Sequence, residues 1–229
     1  MLETSPSRIA VVVAALNEEK GIGPTLEELQ GVLTDSRMVV VDGNSFDKTV
    51  EIAKNFGVDV VLQPGTGKGD AMAHGLRQLS PHVRYVVFTD ADFTYPAEYV
   101  PKMVEVLEHS PEVGMVIGDR FGGLQNLDKS FVNIFSIGNR LIAIVQYFVN
   151  RIRLNDPLSG LRVIRADLLN CWTPKSKGFD IEAEINSIIE RSGYSIAEIP
   201  IDYRKRLGKK KLNLWDGLRI LVRIMIERA

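Results

Sequence analysis

The chain alternates short runs of apolar, mostly β-branched residues with longer segments in which apolar positions recur every three or four residues. The short runs lack polar alternation, so they predict strands that are buried on both faces. The predicted strands are 9–13, 38–41, 58–62, 85–88, 113–117 and 195–201. The predicted helices are 25–33, 47–56, 68–79, 99–109, 130–151, 181–192 and 214–228. Strands that alternate with helices in this way predict an α/β fold with a mainly parallel central sheet and helices on both faces.

Composition narrows the class of protein. The 229 residues carry a net charge of −1, so the molecule as a whole is not built to attract nucleic acid. The single cysteine, Cys171, excludes an intrachain disulfide and fits a reducing, cytoplasmic environment. No signal peptide is recognised in residues 1–8, and no apolar run reaches the roughly 18 residues of a spanning helix.

Two aspartates stand directly after the fourth predicted strand. Asp90 and Asp92 are one residue apart, and alternate residues of an extended segment lie on the same side. Hard carboxylate oxygens suit Mg²⁺ or Mn²⁺, which commonly hold substrate phosphates. The crevice beyond the carboxyl ends of the strands is also where open α/β sheets bind ligands. The alternative interpretation is a solvated turn that carries two acids.

Polar residues follow the other predicted strands as well. Glu18, Asp42 and Lys68 each stand in a loop after a strand, and adjacent parallel strands bring such loops side by side. One such residue alone would indicate a turn or a helix cap, but together they predict a ligand cleft. The loop around Lys68 has neither P-loop spacing nor a dinucleotide fingerprint, although its glycines allow close approach to a phosphate.

Six short motifs occur in order along the chain: 14–18, 41–49, 67–71, 90–92, 156–162 and 203–212. Together they closely resemble the motifs of the family 2 glycosyltransferases, and most of all those of the dolichyl-phosphate mannosyltransferase and polyprenyl-phosphate hexosyltransferase group. Asp90-Ala91-Asp92 corresponds to the Asp-x-Asp metal motif of that family. The chain departs from the pattern at several positions, among them Leu16 in place of the common Tyr and Thr94 where related enzymes often have Gln.

This resemblance implies a GT-A fold, the Rossmann-like fold of nucleotide-diphospho-sugar transferases, with residues 1–229 forming a single catalytic domain. It also implies metal-dependent, inverting transfer of a hexose, mannose or glucose, from a GDP- or UDP-sugar to dolichyl or polyprenyl phosphate. One alternative is a family 2 enzyme with a soluble phosphorylated or glycan acceptor. A further alternative is a catalytically silent nucleotide-binding scaffold.

The resemblance also implies roles for individual residues. Asp90 and Asp92 would bind Mg²⁺ or Mn²⁺. The expected catalytic residues are Asp92, Arg120, Asp156 and Arg206. The expected nucleotide-sugar-binding residues are Ala14, Leu16, Glu18, Asp42, Lys68, Asp90, Ala91, Arg206 and Lys211. Asp156 would either orient the sugar or acceptor or cap the turn before Pro157.

The end of the chain raises the question of a membrane. Residues 204–211 form a basic loop, and 212–229 predict an amphipathic helix. Its apolar face carries Leu214, Trp215, Leu218, Leu221, Val222 and Met225, and its polar face Asp216, Arg219, Arg223 and Glu227. The helix could lie in a membrane interface or pack on the core through its apolar face.

The segment 131–149 is a second interfacial candidate, although core packing is the favoured interpretation there. The expected partners are therefore a nucleotide-sugar donor, a lipid phosphate acceptor, a membrane surface at its cytoplasmic face, and a membrane partner subunit, with no nucleic acid.

Overall fold

The structure is a computed structural model that describes residues 7–122, 134–170, 172–209, 211 and 214–227. The strands are β1 (Ile9–Ala15), β2 (Arg37–Asp42), β3 (Asp59–Leu62), β4 (Tyr85–Asp90), β5 (Val113–Asp119), β6 (Arg162–Arg165) and β7 (Ser195–Pro200). The α-helices are α1 (Ile22–Val32), α2 (Thr49–Asn55), α3 (Lys68–Leu76), α4 (Val100–His109), α5 (Ile134–Asn150), α6 (Ile181–Arg191) and α7 (Leu214–Ile226). Short 3-10 helices span Ala97–Tyr99 and Ala166–Leu169.

The strands form one sheet in the order β3-β2-β1-β4-β6-β5-β7. Pairing is parallel except at β6, which runs antiparallel to both of its neighbours. Ala15 is paired with Asp42, and Ala14 with Asp90. The register therefore brings the carboxyl ends of β2, β1 and β4 to one edge of the sheet, as the sequence predicts.

Helices cover both faces of the sheet. Alternate residues of β1 point to opposite sides, so Val11 packs with α1 and α4, and Val12 packs with α3 and α6. The predicted α/β fold, with a mainly parallel sheet between two helical layers, is confirmed.

Some element boundaries differ from the prediction. Strand β6 was not predicted, because its four residues are Arg-Val-Ile-Arg and look too polar for a buried strand. The structure buries Arg162 completely and satisfies its guanidinium with hydrogen bonds. The predicted helix 68–79 ends at Leu76. Residues 130–133 and 228, which belong to predicted helices, lie outside the described residues.

Helix α7 turns its apolar face away from the protein. Trp215 is 73% exposed, and Leu218, Val222 and Met225 are also exposed. The other side of the helix packs on the domain through Ile220 and Ile224. The packed side also carries charged residues that the sequence analysis assigned to the polar face, namely Asp216, Arg223 and Glu227. The helix therefore packs on the domain, as one of the two interpretations expects, but among the described side chains of the predicted apolar face only Leu221 takes part in this packing.

Helix α5 packs against α7 and shows the same arrangement. Ile137, Leu141, Ile144 and Phe148 are exposed on it, whereas Ile142 packs in the cluster shared with α7. Core packing, the favoured interpretation for 131–149, therefore holds for only one side of this helix. Among the described residues, neither these nor the other helices combine the length and apolarity needed to cross a bilayer.

Candidate active site

The acidic pair lies at the carboxyl end of β4. The Asp92 side chain is buried, and its Oδ1 accepts hydrogen bonds from the Thr94 hydroxyl (2.5 Å) and from the Thr94 backbone N–H (3.1 Å). Arg206 contacts its other oxygen, Oδ2. Burial raises the pKa of Asp92, and the negative charge of Asp90 raises it further. The positive charge of Arg206 opposes both effects, because it favours the ionised carboxylate.

Lys68 lies between two carboxylates. Its Nζ atom is 2.6 Å from Asp90 Oδ1 and 2.7 Å from Glu182 Oε1. Burial alone would lower the pKa of Lys68, but the two carboxylates outweigh it and raise that pKa. Burial likewise raises the pKa of Asp90, and Lys68 reverses this and lowers it. Lys68 and Asp90 thus favour each other's charged forms, and Glu182 is a second contact of Lys68 that the sequence analysis missed.

A glycine-rich loop places Lys68 at the start of α3. Gly67 has φ +90°, and a Cβ atom on it would collide with the Lys177 carbonyl oxygen. The Gly69 N–H donates to the same oxygen at 2.9 Å. Only glycine allows the loop to lie this close to the segment before α6, so the glycines fix the direction from which Lys68 enters the site.

The basic segment 203–209 runs along the loop that follows β4. The Arg204 N–H donates to the Thr94 carbonyl oxygen at 3.0 Å, and the Leu207 N–H donates to that of Asp92 at 3.3 Å. This path brings Arg206 between Asp92 and Glu18, with Nη1 at 3.4 Å from Glu18 Oε1. Lys211 also contacts Glu18. Burial raises the pKa of Glu18 despite these two cations.

The residues expected around the base and ribose differ in how deeply they are buried. Asp42 is buried, and its carboxylate accepts from the Ser45 backbone N–H (2.8 Å) and hydroxyl (2.6 Å). Leu16 is exposed and Ala14 is half-buried at the same sheet edge. The Ala91 side chain is part of the core, so Ala91 can meet a ligand only through its backbone.

Arg120 and Asp156 form a bidentate ion pair at the end of β5. The guanidinium Nε and Nη2 atoms lie 2.6 and 2.7 Å from the two carboxylate oxygens of Asp156, which is fully buried. The Arg120 guanidinium also stacks over the Tyr203 ring, 5.4 Å from its centroid. The two roles expected for Asp156 did not include this pairing, which holds Arg120 rather than the turn before Pro157.

The loop 156–160 closes this side of the site. The Gly160 N–H donates to the Tyr95 hydroxyl at 2.7 Å, and a Cβ atom on Gly160 would lie 2.6 Å from Asp90 Oδ2. Arg162, from the unpredicted β6, donates to the Ser159 carbonyl oxygen at 2.6 Å. Sequence reasoning noted Arg162 only as part of a motif, since a fully buried arginine gives no periodic signal.

The donor set fits a divalent cation that takes its remaining ligands from substrate and water. Within the described part of the chain, no group of three or more His, Cys, Asp or Glu side chains could hold a metal on its own. Mg²⁺ is usually bound by one or two carboxylates together with substrate phosphates. Asp90 and Asp92 supply that number, and each now contacts a basic side chain.

The sheet order, with the acidic edge at β4, matches the GT-A fold. Among solved structures, glucosyl-3-phosphoglycerate synthase from Mycobacterium tuberculosis, in complex with Mn²⁺, UDP-glucose and phosphoglyceric acid, superposes with a TM-score of 0.75. The two are 23% identical in sequence, over 96% of this chain and 79% of that one. The likeness therefore establishes the fold.

Sequence comparison gives the family. Residues 10–172 match the model of Glycosyl transferase family 2. A dolichyl-phosphate hexose transferase from Haloferax volcanii is 35% identical over 95% of this chain and 92% of its own length. A dolichol-phosphate mannosyltransferase from Pyrococcus furiosus is 25% identical over 95% of this chain and 64% of its own length. The chain belongs to glycosyl transferase family 2 and is an enzyme of that family.

Proposed function

We propose that the enzyme transfers a hexose from a GDP- or UDP-sugar to dolichyl or polyprenyl phosphate, with inversion at the anomeric carbon, at the cytoplasmic face of a membrane. The observation that carries the lipid acceptor is the outward-facing apolar surface of α5 and α7. The similarity to a dolichyl-phosphate hexose transferase over nearly the whole chain supports the same choice.

The donor end of the proposal rests on the acidic pair. When a nucleotide sugar loses its sugar, negative charge grows on the departing diphosphate. A divalent cation bound to Asp90 and Asp92 would stabilise that charge. Lys68 and Arg206 already lie against these carboxylates, so their positive charges are available to the same diphosphate.

The acceptor end needs positioning more than it needs a base. A phosphate monoester is largely ionised near neutral pH, so it can attack the anomeric carbon directly once it is held in line. Arg120 is fixed by Asp156 and stacked on Tyr203, which makes it a preorganised cation for such a phosphate. Direct attack without a covalent intermediate gives inversion.

The helix pair α5 and α7 supports a lipid acceptor. A helix that buries charged side chains and exposes Trp215, Leu218 and Val222 presents an apolar face with nothing from the described chain covering it. Apolar faces beside clustered Lys and Arg favour a membrane interface. Residues 204–211 supply that basic cluster. An enzyme whose acceptor stays in the bilayer must meet it at such a surface.

Product partition tests the proposal. The purified enzyme is incubated with Mn²⁺, a radiolabelled GDP- or UDP-hexose, and either dolichyl phosphate in detergent or phosphoglycerate. The expected result is label that passes into the organic phase only with the lipid phosphate. Label that stays in the aqueous product with phosphoglycerate would reject the lipid acceptor, and donor binding without transfer to either would favour the silent scaffold.

A further inference from the structure

Two glutamates in the first turn of α6 have different surroundings. Glu184 uses both carboxylate oxygens for the fold: they accept from the Trp172 indole N–H (2.9 Å) and from the backbone N–H groups of Lys175 and Ser176. Glu182 instead gives one oxygen to Lys68, and its Oε2 is buried without a hydrogen-bond partner among the described residues. Leaving a buried carboxylate oxygen unpaired is costly, so packing alone does not explain Glu182.

The side chains of Asp90, Lys68 and Glu182 differ in their exposure to solvent. The Asp90 side chain is 23% exposed, Lys68 is 12% exposed and Glu182 is 4% exposed. Asp90 therefore borders the cleft, Lys68 lies behind it, and Glu182 lies deepest. An ammonium group has three N–H donors, and the described residues account for two of those on Lys68. One donor remains for a ligand at the cleft.

A metal ion bound at Asp90 would compete with Lys68 for the same carboxylate. If Asp90 were the only partner of Lys68, this competition would leave the buried ammonium group without a carboxylate. The long Lys68 side chain could then move out of the site. Glu182 contacts the same ammonium group and is more deeply buried than Asp90. It can hold the ammonium group while Asp90 changes its partner.

We propose that Glu182 is a positioning residue that keeps Lys68 directed at the diphosphate of the bound nucleotide sugar. The inference rests on the proposed donor site and adds one residue to it. Glu182 need not touch the donor, since it acts through the Lys68 ammonium group. Its effect therefore depends on Lys68 being present.

A double-mutant cycle tests this dependence. Binding of UDP and of GDP in the presence of Mn²⁺ is measured by calorimetry for the wild type, Glu182→Gln, Lys68→Met and the double variant. We expect Glu182→Gln to weaken binding about tenfold, the scale on which a ligand-orienting partner acts. In the Lys68→Met background the same change should have less than about a twofold effect. Equal losses in both backgrounds, or wild-type binding by Glu182→Gln, would overturn the proposal.

Three further measurements keep a folding defect from being mistaken for the effect. Thermal unfolding is recorded for every variant, and Glu190→Gln controls for loss of one negative charge on α6. Glu182→Asp keeps a carboxylate on a shorter side chain, and we expect it to bind nucleotide more weakly than the wild type and more tightly than Glu182→Gln. If Glu182→Gln does not fold, Glu182→Asp takes its place as the test variant. Wild-type binding by Glu182→Asp in that case would contradict the inference. A wild-type enzyme that binds neither nucleotide would instead reject the proposed donor site.

Discussion

At the scale of single residues, the site is a set of buried acids, each held by a basic side chain from elsewhere in the chain. Lys68 pairs with Asp90, and Arg206 lies between Asp92 and Glu18. Buried carboxylates are costly without such partners. Asp90 and Asp92 would hold a divalent cation with the same carboxylates that Lys68 and Arg206 now contact.

The substitution Asp92→Asn removes the more deeply buried acid. It also removes one of the two carboxylates that hold Arg206, so both the proposed metal site and the placement of Arg206 are weakened. We expect transfer to fall by at least about 100-fold, with a melting temperature near that of the wild type, measured over a titration of Mn²⁺. Asp59→Asn, which breaks an exposed pair with Arg37 at the far end of the sheet, is the control. Full activity of Asp92→Asn in EDTA would remove the metal from the mechanism.

Gly160 tests how closely the loop 156–160 must approach the acidic pair. A methyl group there would lie 2.6 Å from Asp90 Oδ2 and 3.1 Å from Lys68 Nζ. Gly160→Ala should displace the loop or Asp90 and reduce kcat/KM by about 10- to 100-fold. Gly31→Ala in α1 meets nothing within 4 Å and should stabilise the protein by roughly 0.5–1 kcal/mol. Unchanged kinetics in Gly160→Ala would show that this close approach is unimportant.

Glu184 gives a prediction about pH. Burial would raise its pKa above the ordinary value of 4.5, but the N–H groups that it accepts from lower that pKa instead. A depressed folded-state pKa adds stability above the unfolded value, and this stability is lost as the pH falls through the folded value. Glu184→Gln should cost about 1–3 kcal/mol at pH 7, and the difference from the wild type should shrink below about pH 4.5 in urea unfolding. A constant difference down to about pH 3 would contradict this assignment.

The sequence shows some of these residues and conceals others. Asp90 and Asp92 are visible because they directly follow an apolar strand, and Lys68 because glycines flank it. Glu182 is not visible, since a glutamate in the first turn of an amphipathic helix has the same pattern as a solvated one. The Arg120–Asp156 pair joins residues 36 positions apart, and only the fold brings them into contact.

At the scale of elements, periodicity shows that a helix is amphipathic, but it does not show which of its faces is buried. Periodicity identifies α7 as amphipathic, but it cannot tell which face meets the protein. The structure half-buries Arg223 beside Asp180 (3.1 Å), and it buries Asp216 and Glu227. Strand β6 shows the same limit, because its arginines donate to protein carbonyl groups, Arg162 to that of Ser159 and Arg165 to that of Val113.

The exposed face of α7 makes a prediction for membrane binding. Trp215→Glu combined with Leu218→Glu should reduce sedimentation with anionic vesicles at least about tenfold, because each large apolar side chain contributes about 1.5–3 kcal/mol when buried. Val32→Glu, at an exposed apolar site on α1, is the control.

Replacing Lys209, Lys210 and Lys211 by Gln should weaken vesicle binding in a salt-dependent manner. Sedimentation that none of these changes alters would dismiss the interfacial role.

At the scale of the whole molecule, the alternation of buried strands and helices predicts the architecture, since a parallel sheet needs cover on both faces. The order of the strands, with β6 inserted antiparallel between β4 and β5, could not be read from periodicity. That inserted strand carries Arg162, which fixes the loop beside Asp90. Topology and site chemistry are therefore linked through one buried residue.

The most direct test of the account is a crystal soaked with Mn²⁺ and a GDP- or UDP-sugar, with anomalous scattering recorded at the manganese edge. The account predicts an anomalous peak bound by Asp90 and Asp92, with the donor diphosphate on the metal and Arg206 displaced from Asp92. A donor bound elsewhere, with no manganese at the end of β4, would contradict it.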